Sequence, residues 1–285
     1  MTSADAACQA VLSRVAAETR AKESQLALVV AVARPGQHVE YAQANGDRPF
    51  YPASVVKSVY AAYAAFLISL GGLTLSEEDE RAFRDMIQDS SNDATGHVVD
   101  LITDTTGGPE LPPDSLAEWM HNRQTVNRWL AAEGITGINA CQKTWNEGPY
   151  GRERQGYGPN RELANSMTAR AAAEIMVGIA TGRFGNQEWL QKLHRRDLHS
   201  QDPQSQDLHV VGYGGEVVTG EVLDYLSKSG TAYQVRHDLL AVRRPGDVWH
   251  VVAAFTDGYR EQPEVLQAVV RGGLEIPDQI TSGTS

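Results

Sequence analysis

With 285 residues, 41% of them hydrophobic and 21% charged, the chain has the composition of an ordinary globular protein and enough material for one large domain or two intertwined lobes. Its formal net charge of -11 argues against nucleic acid or an anionic membrane surface as partner. The two cysteines, Cys8 and Cys141, lie far apart and read as separate thiols rather than a disulfide framework.

Met1 to Arg20 carries Asp5, Arg14, Glu18 and Arg20 and lacks an apolar h-region, with Ala7, Val11, Leu12 and Val15 on one side. It reads as an amphipathic helix and not a signal peptide, which places the chain as written in the cytoplasm; a trimmed mature form would be secreted or periplasmic. Leu26 to Ala33, the Pro35-Gly36 turn and Val39 to Ala44 predict a hairpin. Asn45-Gly46-Asp47 then turns the chain through Phe50-Tyr51-Pro52 into Ser54. Between Ala53 and Leu70 the only charged residue is Lys57, so this run predicts a buried helix, and Pro52, which disfavours helix just before it, sets its start close to Ser54. A membrane span of this length is opposed by Lys57 and by the stop at Gly71-Gly72.

Ser76 to Asp100 is polar and helical, opened by the capping sequence Ser76-Glu77-Glu78-Asp79. Thr103 to Pro113 is a Gly/Pro/Thr-rich loop, and Leu116 to Ala132 reads as one helix. Residues 140 to 160 form a long Gly/Pro-rich irregular segment, a length that points to function or disorder. Helices follow at Thr168 to Ala180 and Asn186 to His194, and residues 199 to 208 are polar enough for a surface crossing. Val222 to Ser227, Val235 to Val242 and Val248 to Thr256 predict strands, with a hairpin turn at Arg243 to Asp247 and a closing helix over Glu264 to Arg271. Strands at both ends with helices between them predict an α/β (α+β) molecule. Residues 1-60 and 205-285 form a sheet lobe, and 61-204 a helical lobe with a loop at about 140-167. The five tryptophans fall in helix or strand patterns and read as packing residues.

Ser54 and Lys57 are three apart and share one face of the first helical turn. A desolvated Lys with a lowered pKa can take the proton of a serine hydroxyl and make it a nucleophile. The same residues also describe a helix N-cap followed by a Lys that snorkels out. Ser90-Ser91-Asn92 and Lys228-Ser229-Gly230-Thr231 supply further hydroxyls, an amide, a second cation and a glycine that permits close backbone approach. His194, His199 and His209 match no zinc spacing, with Arg195 and Arg196 between them, and read as surface histidines. Ser58 and Ser91 read as ordinary polar neighbours.

Taken in order, Ser54-x-x-Lys57, Ser90-Ser91-Asn92 and Lys228-Ser229-Gly230 resemble the three motifs of the penicillin-recognising serine hydrolases, most closely class A β-lactamases. Tyr51-Pro52-Ala53, Met86-Ile87 and Arg236 to Val242 extend the likeness over nearly the whole chain. The resemblance implies an antiparallel five-stranded sheet flanked by N- and C-terminal helices, beside an all-helical lobe. It implies Ser54 as nucleophile, Lys57 as its base, and Ser90 and Lys228 as the proton relay to the leaving nitrogen. Asn92 would hold a side-chain amide, and Ser229, Gly230, Thr231 and Arg236 would line the place of a substrate carboxylate. The family's loop also carries a Glu that activates the deacylating water. Glu147, Glu153 and Glu162 are the candidates, and Glu153 is nearest on counting back from Asn165-Ser166-Met167-Thr168. Arg152 and Arg154 beside it fit a solvated ion pair equally well. The second motif departs from the family at Ser91, where an Asp is usual, and the gap between the first two motifs is short. No metal or organic cofactor is implied. The implied partner is a small acyl substrate, a β-lactam or related amide or ester, and the protein is expected to be a monomer. An amidase, esterase or acyltransferase on the same site, and a catalytically idle binding protein, are the alternatives.

Overall fold

The computed structural model describes residues 2–198 and 209–277. Residues 199–208, read above as a surface crossing and including His199, lie outside the described residues. In chain order the elements are α1 (Ser3–Thr19), β1 (Leu26–Ala33), β2 (Glu40–Ala44), β3 (Pro49–Phe50), α2 (Lys57–Ser69), α3 (Glu77–Ile87), α4 (Asn92–Thr103), α5 (Pro113–Arg123) and α6 (Thr125–Ala132). They continue with β4 (Ile138–Asn139), α7 (Gly151–Gln155), β5 (Ser166–Thr168), α8 (Ala169–Thr181), α9 (Gln187–His194), β6 (Asp224–Ala232), β7 (Val235–Arg244), β8 (Val248–Asp257) and α10 (Pro263–Leu274).

The five long strands form one antiparallel sheet in the order β2-β1-β8-β7-β6. Both faces are covered, so β1 is buried at every residue and reads as a continuous apolar run instead of alternating with polar residues. On one face Leu26, Leu28, Val30 and Val32 meet Leu12 and Val15 of α1 and Leu266, Val269 and Val270 of α10. On the other, Ala27, Val29 and Ala31 join a core with Val59 and Tyr60 of α2 and Ile175, Met176 and Ile179 of α8. The terminal helices thus flank the sheet as expected, and α8 covers the opposite face although it belongs to the stretch read as helical lobe. Cys8 and Cys141 are both buried free thiols. None of the described residues form a helix long and apolar enough to cross a membrane.

Three local expectations change. The helix read over 116–132 is broken at Gln124 (φ -83°, ψ 5°) into α5 and α6. The buried positions Trp119, Arg123, Val126 and Leu130 keep helical spacing across the break, which hides it from periodicity. Ser76 to Asp100 is two helices, α3 capped by the Ser76/Asp79 box and α4 capped by the Ser91 hydroxyl on the Ala94 N–H. Ser91 therefore has a structural role, and replacing such a cap costs about 1 kcal/mol. The segment 140–160 is not wholly irregular, since it contains α7. Its neck is closed by the buried Asn165 side chain, which accepts from the backbone N–H groups of Cys141 (3.1 Å) and Gln142 (2.9 Å) and donates to Gln142 O (2.8 Å).

Candidate active site

Ala53 to Val56 form a 3-10 turn that leads into α2 at Lys57. Residues three apart lie on one side of a 3-10 turn, which sets the half-buried Ser54 on the same side as Lys57. Ala53 enters that turn at φ 47°, a left-handed conformation that non-glycine residues hold only when their surroundings impose it. Those surroundings are visible: His237 of β7, buried between Phe50 and Phe255, donates from Nε2 to Tyr51 O at 2.9 Å while its Nδ1 accepts from Thr256 N. The chain is clamped just ahead of Ser54.

Lys57 does not snorkel. It is fully buried, and its Nζ reaches Ser90 O (2.5 Å), Asn92 Oδ1 (2.9 Å), Ser90 Oγ (3.3 Å) and Ser91 O (3.4 Å). All four acceptors are neutral. With no carboxylate among these partners to hold its proton, burial lowers the Lys57 pKa to about 7. Ser90 sits at φ 55° in the turn between α3 and α4, and its hydroxyl also accepts from Lys228 Nζ at 2.9 Å. Two lysines thus converge on one serine hydroxyl beside the Ser54 turn.

Lys228, Ser229, Gly230 and Thr231 lie inside β6, which passes directly over that turn. A Cβ on Gly230 would lie 3.0 Å from Pro52 O, Ser54 N and Val55 N, so only glycine lets the strand come this close. Backbone atoms cannot yield as a side-chain tip would. Gly230→Ala is therefore expected to push β6 off the Ser54 N–H and to cut the rate at which Ser54 reacts by at least tenfold, a loss of about 1.4 kcal/mol. A rate within twofold of wild type would contradict this close approach.

The remaining motif hydroxyls are already engaged. Ser229 Oγ contacts His209 Nδ1 at 2.7 Å, and Thr231 Oγ1 contacts the Tyr213 hydroxyl. Arg236, opposite Thr231 in the register, donates Nε to Arg260 O and Nη1 to Gly212 O, both at 2.8 Å, and lies over the Tyr213 ring. His209 is half-buried, and burial with the charges of Lys228, Arg196 and Lys57 lowers its pKa to about 3. It belongs beside the motif strand, not on the surface. His194 is likewise corrected: it is fully buried, its Nδ1 donates to Leu190 O (2.8 Å), and its Nε2 accepts from Ser58 Oγ (3.1 Å). The flanking arginines misled because their charges are satisfied elsewhere, Arg195 on Asp224 and Arg196 on the last carbonyls of α3.

The loop acids divide. Glu153 is buried in an ion-pair ring, its Oε1 2.9 Å from both Arg123 Nη2 and Lys143 Nζ, which in turn hold the two oxygens of Asp100. Its partners are not the neighbouring Arg152 and Arg154, and the pair is not solvated. Among the described residues its hydrogen bonds and ion pairs do not reach Lys57 or the three motifs. Glu162 turns back on its own loop and accepts from Asn160 N at 2.9 Å. Glu147 is exposed on the wall of a cavity of about 530 Å³ that it shares with Asn92, Asp93, Gly96, Lys143, Thr144, Trp145 and Asn146. Among the described residues, the loop group hydrogen-bonded to a motif residue is Asn146, whose Oδ1 accepts from Asn92 Nδ2 at 2.7 Å. Asn146, His209 and Tyr213 are the site residues sequence reasoning missed. An amide inside a Gly/Pro loop and a Tyr with no motif around it carry no spacing signal.

The Beta-lactamase enzyme family model matches residues 10–279. Comparison with curated proteins returned no match. Solved structures similar to the chain include a β-lactamase from Sphaerobacter thermophilus, at 19% identity and TM-score 0.63 over 94% of this chain and 96% of that one. A β-lactamase from Chitinophaga pinensis is 14% identical with TM-score 0.64, covering 95% and 98%. A point mutant of PBP-A, solved as an acyl-enzyme complex with penicillin-G, is 17% identical with TM-score 0.63 over 96% of each chain. At these identities the solved structures establish the fold, and the family model, spanning nearly the whole sequence, establishes that this chain belongs to the beta-lactamase enzyme family.

Proposed function

We propose that the protein is a serine hydrolase that works through an acyl-enzyme on Ser54 and opens the amide of a β-lactam. The observation that carries this reading is the convergence of Lys57 and Lys228 on Ser90 Oγ beside the Ser54 turn. A lysine without a carboxylate partner, poised near neutrality, has the properties of a general base. Ser54 Oγ attacks the lactam carbonyl carbon while Lys57 accepts its proton. Charge on the carbonyl oxygen is met by the backbone N–H groups of Ser54 and Thr231, and each such donor contributes about 3 kcal/mol to the transition state. Ser90 passes a proton from the lysines to the leaving nitrogen. Asn92 faces the acyl side chain, and Ser229, Thr231 and Arg236 face the carboxylate end.

One observation favours a second reading, an amidase, esterase or acyltransferase of a substrate without that carboxylate. Ser229 and Thr231 are already bonded to His209 and Tyr213, and two of the Arg236 nitrogens are committed to backbone carbonyls. Intact-mass spectrometry after incubation with benzylpenicillin, followed by peptide mapping, tests the first reading. The expected result is one added penicillin on the peptide containing Ser54, or penicilloate released by turnover. Neither adduct nor penicilloate, with an adduct instead from a p-nitrophenyl ester, would move the assignment to the second reading.

A further inference from the structure

We infer that this site acylates faster than it clears its acyl-enzyme, because the loop presents the Asn146 amide to Asn92, which in turn bonds Lys57, and leaves Lys57 as the base for hydrolysis. The inference rests on the acyl-enzyme reading above and concerns the step that follows it.

Once Ser54 is acylated, a water oxygen must bond to the ester carbonyl carbon. The water's proton must pass to a base, the Ser54 Oγ–carbon bond must break, and Oγ must regain a proton as the carboxylic acid leaves. The base has to stand within about 2.6–3.2 Å of the water, or one further water away. Among the described residues, the hydrogen bonds that join the loop to the catalytic lysine run from Lys57 Nζ to Asn92 Oδ1, then from Asn92 Nδ2 to Asn146 Oδ1. An amide cannot serve as the base at their end. Its nitrogen lone pair is delocalised, and its oxygen is a weak acceptor that already holds the Asn92 N–H.

Glu153 has its Oε1 held by Arg123 and Lys143 inside the protein; its buried Oε2 makes no hydrogen bond, and among the described residues none of its contacts reaches Lys57 or Asn92. Glu162 is held by its own loop. Glu147 and Asp93 line the cavity beside Asn92, but both residues are exposed to solvent and, among the described residues, neither hydrogen-bonds Lys57 or Asn92. Lys57 remains, and it is available only after Ser90 and Lys228 have carried its first proton to the leaving group. A site of this kind traps its acyl group long enough for an acceptor other than water to compete for it. Its chemistry therefore suits acyl capture or transfer better than rapid hydrolysis.

The test loads the intact protein with benzylpenicillin, removes the excess, and follows loss of the adduct by intact mass for wild type, Asn146→Glu, Asn146→Asp and Glu147→Gln. General-base assistance is worth roughly 10²–10⁴-fold, so at least one of the two acidic variants is expected to clear at least tenfold faster than wild type. Glu147→Gln is expected to clear within twofold of wild type. Adduct formation in each variant reports that its site has folded. Turnover by wild type with almost no standing adduct would overturn the inference and keep the hydrolase. So would a longer-lived adduct in Glu147→Gln, or unchanged clearing in both acidic variants. If wild type gives neither adduct nor turnover, the acyl-enzyme reading falls and this inference falls with it.

Discussion

Lys57→Met is expected to lower the rate of Ser54 acylation by roughly 10²–10⁴-fold, the usual contribution of a positioned base. Methionine keeps the unbranched shape that fills the helix while removing the amine, so thermal melting of the variant serves as the folding control. In wild type the rate should follow the fraction of Lys57 in the free-amine form. That fraction rises with pH through the value near 7 and then levels, because burial without a carboxylate partner holds the pKa about there. Lys228 on β6 bonds the same Ser90 hydroxyl, and the neutral His209 stands on Ser229 of that strand. The methionine variant should lose this rise and leave a slow, flat profile. The stability contribution of Lys57 runs in the same direction. Its folded pKa lies below its unfolded value of 10.5, so between about pH 7 and 10.5 the unfolded chain binds a proton that the native state does not. Stability from this group therefore increases with pH across that window. An acylation rate that falls as pH rises from 6 to 8, or a methionine variant with wild-type rate, would remove Lys57 from the mechanism.

What could be read from the sequence follows the range over which each signal acts. Strands and helices with long apolar runs were legible because burial on both faces of the sheet and all round α2 writes itself into composition. The three motifs were legible because each is local, and the fold joins them by hydrogen bonds from Lys228 to Ser90, from Lys57 to Ser90 and from Lys57 to Asn92. The loop acids were not. Counting residues through a Gly/Pro-rich segment says how far Glu153 lies along the chain but nothing about α7, which turns it towards Arg123. The histidines failed for a related reason. A His-Arg-Arg run looks solvated until Asp224 and the end of α3 are known to absorb the charges. Ser91 and Asn146 show the reverse case, residues of unremarkable type whose roles come wholly from what stands opposite them.

The Glu153 ring gives the second large expectation. Arg123→Met should cost about 3–5 kcal/mol of stability, because it leaves Glu153 and Asp100 with one cation between them in a buried site. Arg123 is fully buried at the end of α5 under the Trp119 ring, Asp100 comes from α4, Lys143 from the loop and Glu153 from α7, so the ring ties four segments together. Denaturant unfolding of Arg123→Met, Glu153→Gln and the double variant separates a brace from a base. In a brace the two changes share one interaction, so the double variant should lose markedly less than the sum of the singles. Glu153→Gln should also lower the unfolding midpoint, since an amide cannot balance the two cations. Were Glu153 instead the water-activating base, Glu153→Gln would keep its midpoint and prolong the penicillin adduct at least tenfold. That outcome would return the loop carboxylate to the chemistry and remove the reason for assigning slow clearing to Asn146. The ring and the amide are linked in this way: with Glu153 spent on holding the loop in place, Asn146 is the group that the loop holds against Asn92.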